Sequence, residues 1–105
     1  MAWFYLFIAG LLEIVWAYSM KKSVGFTVFT PTAITIVTMI ASFALLSMAM
    51  KSLPLGPAYM VWTGIGAVGS FVVGAALLGE AVTPARIFAA LLIVSGIIVM
   101  KLASN

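Results

Sequence analysis

Four long apolar runs divide the chain, and each is closed by a short cluster of Lys, Ser, Gly or Pro. The first runs from about Trp3 to Met20 and stops at Lys21, Lys22, Ser23 and Gly25. The second starts near Pro31, a favourable first-turn residue, and reaches Met50, where Lys51, Ser52, Pro54, Gly56 and Pro57 break it. The third covers about Ala58 to Leu78 and ends at Gly79, Glu80, Thr83 and Pro84. The fourth, the shortest, runs from about Ala85 to Met100 and is closed by Lys101. A helix needs about 20 apolar residues to cross the hydrocarbon of a bilayer. Barrel strands would instead alternate polar and apolar residues over about ten positions. The runs are continuous, so spans over about 3–20, 31–50, 58–78 and 85–100 predict an all-α membrane protein, a single four-helix transmembrane domain over residues 1–105.

Composition removes the other classes. Of the 105 residues, 66% are hydrophobic and 7% are charged, against roughly 25% charged in soluble domains. Five Lys/Arg and two Asp/Glu cannot cover a water-exposed surface, and the hydrophobicity excludes a disordered chain. Four spans consume about 80 residues, which leaves room for turns and no separate soluble domain. There is no Cys and no His, so disulfides and the usual nitrogen or sulfur metal ligands are excluded and no cofactor is expected. No nucleophile–base pair points to an enzyme. The net charge of +3 is scattered, without a nucleic-acid footprint. The N-terminus lacks a basic n-region and Glu13 interrupts its apolar run, so it reads as a retained first span.

Charge says little about orientation. Lys51 and Lys101 fall on one side of the membrane, and Lys21, Lys22 and Arg86 on the other. A difference of one charge gives almost no preference under the positive-inside rule. Two readings stay open: one orientation fixed by other factors, or dual topology, with copies inserted both ways.

Glu13 is the decisive residue. It lies within about 3 Å of the middle of span one at 1.5 Å rise per residue. A charge there costs on the order of 3 kcal/mol, and an intramembrane ionisable residue is a functional candidate by default. The alternative is a protonated side chain that only bonds a neighbouring helix. Ala9, Gly10, Trp16 and Ala17 lie within about 60° of Glu13 around the helix. In span three, Tyr59, Trp62, Thr63, Gly66, Ser70 and Gly74 share one stripe, whose hydroxyls and indole are suited to bonding a buried carboxylate. Val61, Ile65, Val68 and Val72 face the other way, toward lipid or packing. Trp16, Tyr59 and Trp62 have a second reading as headgroup-belt residues. Gly64 and Gly66 permit either a helix bend or close packing. In span two the hydroxyls of Thr35 and Thr38 are expected to bond their own backbone, which leaves Ser42, at a depth similar to Glu13, as the cavity candidate. Ala89 and Gly96, one heptad apart in span four, suggest a helix-packing seam. Glu80 and Arg86 read as a solvated pair.

A desolvated carboxylate can hold either a proton or a cation. If the two compete for one group, a two-state element that exposes it alternately to each side makes an antiporter. Four short helices with one such group enclose a poor pathway, so an oligomer is expected. Two oppositely inserted copies would form an inverted repeat with two Glu13 side chains in one cavity.

The stretches Gly10-Leu11-Leu12-Glu13-Ile14-Val15-Trp16-Ala17, Lys51-Ser52-Leu53-Pro54-Leu55-Gly56, Ala58-Tyr59 and Trp62-Thr63-Gly64-Ile65-Gly66 carry a specific resemblance. Over essentially its whole length the chain resembles the small multidrug resistance transporters. Trp16, the Trp62 to Gly66 run and Lys101 make it similar to the guanidinium exporter subtype rather than the quaternary-ammonium subtype. The resemblance implies an antiparallel dual-topology homodimer in a bacterial-type inner membrane, exporting guanidinium-type or alkylated ammonium cations against protons. It implies that Glu13 of both copies binds proton or substrate. By the same resemblance Gly10, Trp16, Ser42, Tyr59 and Trp62 line the site, Gly64 and Gly66 form the span-three bend, and Ala89 to Gly96 forms the dimerisation region. Two departures from the family pattern are Met60, where a smaller residue is usual, and Pro57. The flexible Met60 suggests a portal that admits an alkyl tail. A broader multidrug exporter, a passive channel, an accessory subunit and a heterodimer with a paralogue are the alternatives.

Overall fold

The computed structural model describes residues 1–103. Among these it contains four α-helices, α1 (Ala2–Lys22), α2 (Phe29–Ala49), α3 (Leu55–Leu77) and α4 (Pro84–Ala103), each long and apolar enough to cross a membrane. The chain is an all-α, multi-pass membrane protein. Two helices start earlier than their prolines suggest. Pro31 and Pro57 both sit in the first turn, of α2 and α3 respectively, where backbone N–H groups have no intrahelical partner, so the missing donor costs nothing. α4 begins on Pro84 and continues beyond Met100. There Lys101 Nζ lies 4.7 Å from the centre of the Trp3 ring, which holds the charge at the helix end over an aromatic face.

The turns are locally specified. After α1, Ser23 Oγ donates to Met20 O (2.6 Å) and accepts from the Phe26 N–H (3.0 Å). Val24 and Phe26 flank Gly25 with positive φ of 49° and 67°, a conformation that costs a side-chain-bearing residue about 1–2 kcal/mol. After α3, Gly79 takes φ 68°, and the N–H groups of Leu78 and Glu80 both return to Gly74 O at 3.0 and 3.1 Å. A left-handed glycine closes the helix and satisfies a terminal carbonyl.

α1 lies between α2 and α3, and α4 packs its backbone against α3 alone. The buried cluster is drawn from α1 (Leu6, Ala9), α2 (Leu46, Ala49) and α3 (Ala58, Val61, Trp62). Val61 is therefore a packing residue, and Ile65, beside it on α3, covers Gly10 of α1. Small residues set the helix separations, as expected where lipid removes the hydrophobic drive between helices. A Cβ on Gly10 would meet Ile65 at 2.6 Å, one on Gly69 would strike Ile14, and one on Gly64 would meet Ile97 at 2.8 Å. α4 contributes no buried residue. The molecule measures 42 × 34 × 16 Å. Every helix keeps exposed apolar side chains, among them Phe4 and Phe7 of α1, Val37 and Ile40 of α2, Val72 of α3 and Leu91 of α4.

Candidate functional site

The α1/α3 seam holds Glu13. Its carboxyl group lies directly on the backbone of α3 at Gly66, where a Cβ would land on the carboxyl carbon and Oε1. Only glycine leaves that space. Glu13 Oε1 and Trp16 Nε1, on neighbouring turns of α1, are both buried and neither has a hydrogen-bond partner. One is an acceptor and the other a donor, and burial of such atoms without partners is costly. They do not satisfy each other.

Beside them, one hydroxyl ties three helices together. Ser42 Oγ, fully buried on α2, donates to Ala9 O of α1 (2.7 Å) and accepts from Trp62 Nε1 of α3 (3.0 Å). The threonines of α2 behave differently: Thr35 and Thr38 donate to Pro31 O and Ile34 O of their own helix, and Thr32 to Val28 O at its N-cap. Trp16, Phe43, Trp62 and Tyr59 form a continuous aromatic row, with ring centres 6.4, 5.8 and 5.6 Å apart in edge-on or tilted contacts. Phe43 was not among the residues singled out by sequence. It follows Ser42 at the depth of Glu13, and an aromatic at that level was the available signal.

The structure brings Gly10, Glu13, Trp16, Ser42, Trp62 and Gly66 to the shared faces of α1, α2 and α3, while Tyr59 sits at the open end of the row, 52% exposed. Two expectations are corrected, one for the α3 stripe and one for the Glu80–Arg86 pair. The α3 stripe does not hydrogen-bond Glu13, because the Trp62 indole is committed to Ser42 and Thr63 is exposed. Gly64 and Gly66 face opposite ways, toward α4 and α1, since two residues turn a helix by about 200°. α3 runs unbroken through both. Ala89 and Gly96 are exposed on α4, and nothing lies within 4 Å of a Cβ built at Gly96. Arg86 does not pair with Glu80; its guanidinium donates to Ala81 O at 2.7 Å, and Glu80 folds back onto Gly74. Among the described residues no cluster of three His, Cys, Asp or Glu is present.

Removing the Ser42 hydroxyl strands the Trp62 N–H in an apolar interior. Ser42→Ala is expected to destabilise the fold by about 1 kcal/mol, the scale of interhelical hydrogen bonds in membranes. Reversible unfolding in mixed micelles measures this, and unchanged stability would show that the three-helix tie contributes nothing.

Residues 1–93 match the family described as Small Multidrug Resistance protein. Over 105 residues, covering 100% of both chains, the sequence is 56% identical to proteins named "Guanidinium exporter" from Citrobacter freundii and Salmonella typhimurium. It is 55% identical, again over 100% of both chains, to the protein of that name from Escherichia coli (strain K12).

Proposed function

The chain belongs to the Small Multidrug Resistance family of transporters, and on that footing we propose that it exports guanidinium and small substituted guanidinium ions in exchange for protons. The observation that carries this reading is the buried, unpartnered pair on α1, Glu13 Oε1 and Trp16 Nε1. A guanidinium ion is a planar fork of N–H donors that matches a carboxylate, and at neutral pH it stays cationic. The geometry of the fork separates it from a hydrated metal cation. The row of Trp16, Phe43, Trp62 and Tyr59 offers π faces to the same charge. Trp16 Nε1–H donates, so its natural partner is a carboxylate oxygen rather than the cation.

The functional unit in this proposal is an antiparallel homodimer of dual topology in a bacterial-type inner membrane. Four helices carrying one intramembrane carboxylate make a poor enclosed pathway alone. α4 has no buried residue and exposes Ala89 and Gly96, which makes it the natural contact between copies. The charge balance, two on one side against three on the other, permits both insertions. Two Glu13 carboxyls then share one cavity. Either protons or a cation occupy it, and a rocking of the two copies exposes it to each side in turn.

Solid-supported membrane electrophysiology on reconstituted protein tests the substrate class. A guanidinium-evoked current with little response to a bulky quaternary ammonium ion is expected. Equal currents would move the reading to a broad multidrug exporter, and silence to both would remove the transport assignment. Tail tolerance is a separate expectation. Met60, 56% exposed, lines an apolar groove of about 280 Å³ with Tyr59, Thr63, Gly64, Ala67 and Ile93. Met60→Ala should change the relative currents of guanidinium ions bearing graded alkyl tails and leave guanidinium itself unaffected. An identical series in both proteins would count against Met60 having this role.

A further inference from the structure

Two carboxylates sit on the α1/α3 seam, each laid over a glycine of α3: Glu13 on Gly66 and Glu80 on Gly74. The two glycines are eight residues apart, about 12 Å along a helix axis, and Ser70 lies midway between them. Glu80 is exposed, yet its position is set by the turn rather than left to a free loop. Its backbone N–H is bonded to Gly74 O (3.1 Å), the turn is set by Gly79 at φ 68°, and its carboxyl returns over the helix into the space that Gly74 leaves. Beside Glu80 is a pocket of about 160 Å³, several times the roughly 30 Å³ that a water molecule occupies; Lys21, Ser70 and Glu80 are its charged and hydroxyl groups, Ile14, Val73 and Leu78 make an apolar wall, and Glu13 is not part of the lining. Among the described residues, neither the Glu80 carboxylate nor the Ser70 hydroxyl has a hydrogen-bond or ion-pair partner.

We propose that this pocket is a second, outer cation site, in which Glu80 and Ser70 hold a guanidinium-type ion at the loop-one and loop-three end of the seam before it reaches Glu13 or after it leaves. The proposal rests on the export reading above. The Glu80 carboxylate accepts the N–H groups of the ion, and the Ser70 hydroxyl is the next acceptor inward. Lys21, on the same pocket wall, is a tethered cation that competes with the ion for Glu80. That competition keeps the outer site weak, which a transit site requires, since an ion held tightly there would not move on.

The test uses full-length protein in lipid nanodiscs, with backbone amide NMR of Gly74 and Gly79 during titration with guanidinium chloride against sodium chloride at equal ionic strength. In Glu13→Gln, which lacks the central carboxylate, guanidinium should still shift both signals saturably and sodium should not. Adding Glu80→Gln to that variant should remove the shift. Adding Lys21→Met instead should lower the Kd about two- to fivefold, the worth of one exposed charge pair. No saturable shift in Glu13→Gln, or a shift that survives Glu80→Gln, would overturn the outer site. Failure of the export reading looks different: wild-type protein would then show no guanidinium-dependent shift at Gly10 and Gly66 that Glu13→Gln abolishes.

Discussion

Glu13→Gln should abolish guanidinium–proton exchange while leaving a folded four-helix chain. Glutamine has almost the same shape as glutamate, so it still lies against Gly66, where the helix offers no side chain to clash with. It also removes the insertion cost of a mid-bilayer charge, so folding should not suffer. What it cannot do is release a proton or present an anionic oxygen to a cation. Loss of an essential proton-transfer group acts on a scale of about 10²-fold or more, and flux in proteoliposomes should fall at least that far. Circular dichroism and size-exclusion profiles matching wild type would show that chemistry, not folding, was lost. Proton-driven flux retained in this variant would remove Glu13 from the site.

Gly66→Ala should be the next most damaging change, although it adds a single methyl group. That methyl lands on the Glu13 carboxyl, with the α3 backbone behind it. Either the carboxyl leaves the seam or α1 and α3 separate. Overpacking of this kind costs about 1–3 kcal/mol, so cation binding should weaken by about 5- to 150-fold, since 1.4 kcal/mol is a factor of ten. Gly56→Ala is the internal control. It adds the same methyl in the first turn of α3, where nothing lies within 4 Å. Isothermal binding measurements on both variants separate the two cases, and equal affinity for guanidinium would show that the carboxyl does not depend on the Gly66 gap.

The spans were legible because lipid demands long apolar runs, and the chain marks their ends with charge, Gly and Pro. The starts of α2 and α3 were less so. Pro31 and Pro57 look like boundaries, yet a proline is equally at home within a first turn. Ser42 was separable from the threonines by depth alone, and its hydroxyl does cross to another helix. The sequence did not reveal that this same hydroxyl takes the Trp62 indole, because that pairing depends on the packing of α2 on α3. Nor did it reveal which neighbour each glycine of α3 serves: Gly64 and Gly66 are close in sequence and face different helices. Glu80 was misread as one half of a surface pair with Arg86. Its fold-back depends on the left-handed conformation of Gly79 and the gap at Gly74, a tertiary combination that neither residue announces.

Competition between proton and cation for Glu13 is the centre of the proposed mechanism, and the pH dependence of guanidinium affinity tests it most directly. As pH falls the carboxyl protonates, and an ion that needs the same oxygens binds more weakly. For one proton displaced per cation, the apparent Kd should rise toward tenfold per pH unit on the acid side and level off on the alkaline side. Tryptophan fluorescence of detergent-solubilised protein, titrated with guanidinium at fixed ionic strength across that range, reads the affinity through Trp16 and Trp62. A rising Kd that becomes pH-independent in Glu13→Gln, at whatever residual affinity remains, is the expected result. A wild-type Kd that stays constant from acid to alkaline pH would contradict competition and leave the protein without a means of coupling the two ions.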